Sequence, residues 1–338
     1  MYVALHDAEK DHIKSKTFPN YALMKISAYH KARGDTVTWW KWNKTKPAED
    51  GQLTLDGGTA TEAFTRELTA YNSQFDVVYS SKIFDFTPEN PYLPENTIRG
   101  GTGYDIKAEL PPEVDAIFPD YSIYPDCDYA IGYITRGCPN SCAWCVVPEK
   151  EGDIKPYRFW WELARPDSNK LVLMDNNILS CEFGIWGLES LIDSGYAVDF
   201  NQGLDARLVD ERIAGIIGRL TWIKYIRFSC DTLPQIDAIH RAAALLAEYD
   251  IKPYRLFVYV LVTKDIDNAA RRVESLRELN GISLYAQAER NDGKGIIPNR
   301  AQLEFAQRYV YGRAYRKETW REYCEKRNLN FYEGGGNG

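Results

Sequence analysis

YAIGYITRGCPNSCAWCVVPEKEG, residues 129–152, begins as a strand and ends as a loop, and three of the chain's seven cysteines fall inside it. The opening YAIGYIT is rich in aromatic and β-branched side chains, the composition of a short buried strand. Gly137, Pro139, Asn140 and Ser141 then break that pattern. Cys138, Cys142 and Cys145 follow in the spacing CxxxCxxC. Three thiols in a loop this polar have little core to sit in, so their crowding points to metal or thiol chemistry rather than to packing.

Working outward, the same kind of apolar run recurs: KLVLMD (170–175), AVDFNQ (197–202), KYIRFSC (224–230), YRLFVYVLV (254–262) and SLYAQA (283–288). Between the runs lie residues at helical spacing, such as Ile213, Ile216, Ile217 and Leu220, or Ala269, Val273, Leu276 and Leu279. Strand, helix, strand at about 30 residues per unit is the βαβ repeat, whose crossover forces parallel pairing. Six such units predict an α/β fold curled into a partial (βα)6 TIM-like barrel. Reactive groups of such barrels sit on the loops after the strands, which is where the cysteines fall. Residues 1–84 predict a smaller, Rossmann-like α/β element with strands at 2–6, 36–42 and 75–81 and helices at 20–33 and 60–72. Phe86 to Asp128 holds seven of the sixteen prolines and reads as irregular joining chain, with one short strand ending at Gly100. The expected organisation is a Rossmann-like domain with linker (1–125), a barrel (126–290), and a helical C-terminal extension with a tail (291–338).

Composition narrows the function. With 338 residues, 44% of them hydrophobic, the chain can bury a sizeable core. MYVALHDAEKDH has neither the basic start nor the apolar stretch of a signal peptide, and LFVYVLV (256–262) is too short to span a membrane, so a cytoplasmic protein without a membrane partner is expected. A net charge of −7 argues against a grip on nucleic acid by the whole chain. Residues 300–327 are the local exception, with eight Lys/Arg against four Glu and with Tyr309, Tyr311, Tyr315, Trp320 and Tyr323 between them. The preferred reading is solvated amphipathic helices packing Trp320, Tyr323 and Cys324 on the body; the other is contact with a polyanionic substrate.

For the cysteine loop, structural zinc wants four ligands, and no second knuckle exists, although Cys127 or Cys181 could lend a fourth thiolate. A redox pair needs only CxxC and leaves Cys138 unexplained. A 4Fe-4S cluster accounts for the count: three thiolates hold three irons and leave the fourth open to an outside ligand.

CxxxCxxC after the first strand of a parallel α/β barrel, with an aromatic residue (Trp144) before the last cysteine, resembles the radical SAM (S-adenosylmethionine) superfamily over roughly residues 129–288. The wider TRGCPNSCAWCVVPEKEG looks like members with a cobalamin-binding or methylthiotransferase-like domain ahead of the barrel. The resemblance implies that Cys138, Cys142 and Cys145 ligate the cluster and that S-adenosylmethionine chelates the open iron. Its reductive cleavage would then functionalise an unactivated C–H position of an unknown substrate, with methyl transfer as a variant. Trp144 would back the adenine or the cluster edge. Asp175, Asn176 and Asn177 stand where the family's Gly-Gly-Glu-like segment binds the amino group, matching by position rather than by sequence. Gln202 and Arg207 lie at the rim with Asn201 and Asp205; Arg207 would pair with the carboxylate of S-adenosylmethionine, and Asp231 would hold the ribose. Glu289 and Arg290 are weaker candidates. The implied partner is an electron donor such as flavodoxin or ferredoxin.

The cobalamin signature DxHxxG is missing, KDHIKS being the nearest approach, so cobalamin is not favoured in the first domain. IRGGTGYD (98–105) keeps a glycine-rich approach to a nucleotide tail open. An RNA-modifying methylthiotransferase-like enzyme is one alternative, disfavoured because no cysteine precedes Cys127. A zinc-stabilised binding module without catalysis is the other.

Overall fold

The computed structural model describes residues 1–12, 18–47 and 59–331. The chain divides into two compact units, the first ending at Cys127 and the second starting at Asp128. The segment after residue 290 belongs to the second unit.

In the first unit β1 (Tyr2–Asp7), α1 (Ala8–His12), α2 (Tyr21–Ala32), β2 (Thr36–Trp39), α3 (Ala60–Asn72), β3 (Val77–Ser81), β4 (Ile98–Gly100) and α4 (Pro112–Asp115) follow in order. Every strand pairs in parallel, in the order β2-β1-β3-β4. Alternation along β1 sends Val3 and Leu5 into a cluster with Leu23, while Ala4 packs with Trp40 and Val78. Asn20 starts α2 by accepting from the Leu23 amide, and a reciprocal Thr59–Glu62 capping box starts α3.

The second unit runs β5 (Ala130–Gly132), β6 (Thr135–Arg136), α5 (Val147–Lys150), β7 (Lys155–Pro156), β8 (Lys170–Leu173), α6 (Glu182–Leu191), β9 (Ala197–Phe200), α7 (Glu211–Arg219), β10 (Thr221–Trp222), β11 (Ile226–Ser229), α8 (Gln235–Ala247), β12 (Leu256–Val262), α9 (Ile266–Arg277) and β13 (Ser283–Ala288). α10 (Arg300–Leu303) continues as a π-helical segment over Glu304–Val310, and α11 (Trp320–Lys326) follows. Two parallel sheets result, β10-β9-β8-β5 and β11-β12-β13. A lone parallel bridge, Leu204 to Phe228, stands between them, and the Leu204 amide donates to Arg227 O at 2.7 Å. The chain is therefore a mixed α/β protein built on parallel sheets, and no strand pairing among the described residues closes them into a barrel. No helix among these residues is long and apolar enough to cross a membrane.

β12 shows how one sheet serves two purposes. Leu256, Val258, Val260 and Val262 enter the core with Ile239, Leu246, Val273 and Leu276 from the helices. Phe257, Tyr259 and Leu261, on the opposite face, stay half-buried. Parallel strands are usually apolar on both faces. Here the second face sets polar groups among its aromatics: Arg227 forks onto Asp199 (2.6 and 2.9 Å), and its Nη1 donates to Tyr259 Oη at 3.3 Å.

The C-terminal segment departs from the expected pair of helices. A side chain at residue 312 would collide with Arg308 O, so glycine is needed there, and Arg313 has φ +63. The chain leaves the π-helical segment through this turn, while Phe305, Tyr309, Tyr315, Trp320, Tyr323 and Cys324 all join the main core. The packing expected of Trp320, Tyr323 and Cys324 is present.

Arg272, 1% exposed, ties the ends of the central strands together. It donates to Cys230 O (2.6 Å), Leu261 O (2.8 Å) and Asn268 Oδ1 (2.9 Å). Arg272→Ala would leave buried acceptors unpaired, at about 1–3 kcal/mol each. The expected outcome in denaturant unfolding is a loss of roughly 3 kcal/mol, only partly recovered by Arg272→Lys, whose ammonium lacks the planar fork.

Candidate metal centre on the cysteine loop

The loop that carries the cysteines is held at both ends by carboxylates. At its entry, Asp175 reaches back from the end of β8. The Ile134 amide donates to both of its oxygens (3.1 Å each), and the amide and hydroxyl of Thr135 both donate to Oδ1, the hydroxyl at 2.7 Å. Asp175 is only 2% exposed, and burial outweighs these donors, pushing its pKa up to about 6. Further along, Glu151 takes Arg136 in a fork (2.6 and 3.0 Å), the Gly137 amide (2.9 Å) and Asn176 Nδ2 (3.0 Å). The Cys138 amide donates to Gly152 O at 3.1 Å, and β6 pairs antiparallel with β7 to close the loop. Gly137 sits at φ +84, and a Cβ there would meet Asp153 O, so the closure requires glycine.

Within this frame Cys138, Cys142 and Cys145 are free, half-buried thiols. They share one electrostatic field. Burial raises the pKa of Cys142, and the neighbouring Cys145 and Cys138 raise it further, while Arg207 opposes them. Burial likewise raises Cys145, partly offset by the Val147 amide, which donates to its sulfur at 3.4 Å. Asn177 Nδ2 approaches Cys138 Sγ at 3.8 Å. Cys142 and Cys145, whose ionisation burial and the neighbouring thiols disfavour, are groups that a multivalent cationic centre would stabilise as thiolates. Among the described residues no three His, Cys, Asp or Glu groups are arranged around a single metal ion.

Two more loops reach the same place. Asp205, after β9, accepts from Asn140 Nδ2 in the cysteine loop and from Asn177 Nδ2 after β8, both at 3.4 Å. It also holds Arg207 through two bonds (2.8 and 2.6 Å). Asp231, after β11, accepts the Leu261 amide at 3.0 Å, and its charge is felt by Cys142 and Cys145. Burial raises the pKa of Asp231 itself.

The sequence candidates thus separate by role. Asn177, Arg207 and Asp231 come together with the cysteines. Asp175 does not present its oxygens outward as an amino-group ligand would; its carboxylate is turned in to hold the loop, and Asn176 is held by Glu151. Trp144 lies half-buried on the loop itself, whereas Gln202 is exposed. Asn177 Oδ1 is buried with no donor among the described residues. Cys230 is buried, its pKa pushed up to about 12, and Cys127 belongs to the other unit. Arg290 pairs with Asp292 at 2.8 Å. Sequence reading missed Glu151 and Asn140; the carboxylate beside Gly152 in PEKEG was the available signal for the first.

Two outcomes follow. Glu151→Gln weakens the fork to Arg136, so alkylation of the three cysteines should quicken about tenfold while global stability, followed by denaturant unfolding, moves by only about 1 kcal/mol. Asp175 binds its proton more tightly folded than at the ordinary 3.8, so its contribution is complete below that value and is lost as pH rises through about 6. Unfolding free energies should therefore fall by about 3 kcal/mol across this window relative to Asp175→Asn, and identical pH profiles would contradict the assignment. No family model and no curated protein matches the chain.

Proposed function

We infer that this chain is a radical SAM enzyme acting on an unactivated C–H position of its substrate. The observation that carries the reading is the closed loop after β5, which gathers three free, half-buried thiols beside a buried acceptor, Asn177 Oδ1, that has no donor among the described residues. Three thiolates suit a 4Fe-4S cluster with one open iron, and a buried acceptor beside them suits an ammonium. The order of parallel strands supports a partial (βα)6 barrel: β5, β8 and β9, then across the Leu204 bridge β11, β12 and β13, run in chain order.

When bound, the cluster and S-adenosylmethionine together supply one-electron cleavage of the sulfonium and hydrogen abstraction from carbon. The chain's own residues bind and orient. Cys138, Cys142 and Cys145 are the ligands, with the Val147 amide and Asn177 Nδ2 directed at sulfur. Asn177 Oδ1 takes the ammonium. Arg207, fixed on one edge by Asp205 and with its side chain 48% exposed, turns its remaining N–H groups to the carboxylate. Asp231 accepts ribose hydroxyls, and Trp144 backs the adenine. The polar face with Asp199, Arg227, Tyr259 and Tyr285 receives the substrate. In the first unit His6 has both ring nitrogens engaged, by Ser80 (2.8 Å) and Asp11 (2.9 Å), which favours a platform without cobalamin. An electron donor of the flavodoxin or ferredoxin kind completes the system.

Anaerobic reconstitution tests this reading. About four irons and four sulfides per chain are expected, with 5′-deoxyadenosine formed from S-adenosylmethionine under a reductant. Cys142→Ala should lose the cluster absorbance and all cleavage while its circular dichroism stays unchanged. One zinc per chain with no iron retained would establish the zinc-stabilised alternative instead.

A further inference from the structure

The basic C-terminal stretch is not the evenly mixed surface that its composition suggests. Each of its four acids is engaged. Glu304 accepts from Tyr323 Oη at 2.7 Å, and Glu318, 7% exposed, holds Lys326 and Arg327 (2.8 and 2.9 Å). Glu322 turns back onto Thr319 in a capping box, and Glu325 pairs with Arg321 at 2.9 Å. Arg300, Arg308, Arg313, Arg316 and Lys317 are all exposed, and none is in an ion pair among the described residues.

Four of these cations fall within ten residues, Arg308 to Lys317, a stretch running from the last turn of the π-helical segment through the turn at Gly312 and the 3-10 turn Ala314–Arg316. Tyr309, Val310 and Tyr315 are buried and anchor it. The outward positions are then Arg308, Tyr311, Gly312, Arg313, Arg316 and Lys317, with no acid among them. The backbone is committed to this display: only glycine fits at 312, and Arg313 occupies the left-handed region, which a residue with a Cβ enters at a cost. Tyr311, amid these cations, is 72% exposed.

An unpaired cationic turn on a chain of net charge −7 calls for a local polyanion. Guanidinium forks match phosphate oxygens bidentately, and an exposed tyrosine between them offers a face on which an unpaired base can stack. A lipid surface would need apolar anchors, and the outward set contains none besides Tyr311. We propose that the turn Arg308–Lys317 docks single-stranded nucleic acid, phosphates lying on Arg308, Arg313, Arg316 and Lys317 and one base on Tyr311. This proposal stands apart from the cysteine site.

Fluorescence anisotropy with the full chain and a labelled mixed-sequence RNA of about 16 nucleotides tests it. Binding at low salt should weaken as salt rises, with a log–log slope of about −0.7 per phosphate held. Arg308→Gln with Lys317→Gln should lower affinity at least tenfold and flatten the slope by roughly 1.4. The matched pair Arg321→Gln with Lys326→Gln, which removes ion-paired cations, should change affinity less than twofold. Tyr311→Ala should cost roughly tenfold and leave the slope unchanged. The proposal is overturned by the absence of binding at low salt or by equal losses in the two double variants. Duplex RNA bound as tightly as the single strand, or phosphatidylserine vesicles bound in place of RNA, would also overturn it.

Discussion

A carboxylate taken out of water must find donors, and Asp175 finds them on the segment that it has to hold. β5 and β8 pair in parallel with Gly132 opposite Leu173, so the residues just beyond each strand lie side by side. The side chain at 175 thereby meets the amides of Ile134 and Thr135, which have left the sheet and would otherwise lack partners. Burial pulls against this arrangement and the donors favour it, and the raised proton affinity of Asp175 records that contest. Glu151 does at the exit what Asp175 does at the entry, with an arginine as its counter-ion. Between these anchors the thiols have little backbone freedom left to lose, so the geometry is set before any ligand arrives.

Most of the architecture could be read from the order of residues. The runs at 170–175, 197–202, 254–262 and 283–288 each contain an observed strand, and the spacing of Ile213, Ile216 and Ile217 or of Ala269, Val273 and Leu276 marks α7 and α9. Those signals are local, since a strand or helix that buries one face must repeat apolar residues at its own period. The π-helical segment over Glu304–Val310 was not legible, because an apolar repeat does not tell one helical hydrogen-bond pattern from another.

The site was legible only in part, and the division is physical. Cysteine spacing is a property of the chain. Which way Asp175 faces is a property of strand register, and the meeting of Asn140 with Asp205 joins residues 65 positions apart. At a turn, Asp and Asn satisfy local capping and distant partners equally well, so composition alone could not tell the loop-holding Asp175 from Asn177, whose amide reaches toward a sulfur.

The two arginines near the strand ends show how engagement separates a scaffold group from a site group. Arg272 is surrounded: all three of its nitrogens have acceptors, and almost none of it meets solvent. A group so enclosed can only hold strands. Arg207 is bound along one edge by Asp205, which fixes its plane, while nearly half of its side chain stays open and its charge is felt by Cys142. Fixing one edge removes the rotamer entropy that a binding event would otherwise have to remove, and leaving the other open preserves donors for an anion. The aspartates divide in the same way. Asp175 is enclosed by the backbone that it supports, whereas Asp205 gathers three loops through two long amide contacts and one tight cation. The long contacts from the amides yield before the short ones from the guanidinium. The side chains of Asn140 and Asn177 can therefore shift toward what binds beside them, while Arg207 and the anchored loop backbone stay in place.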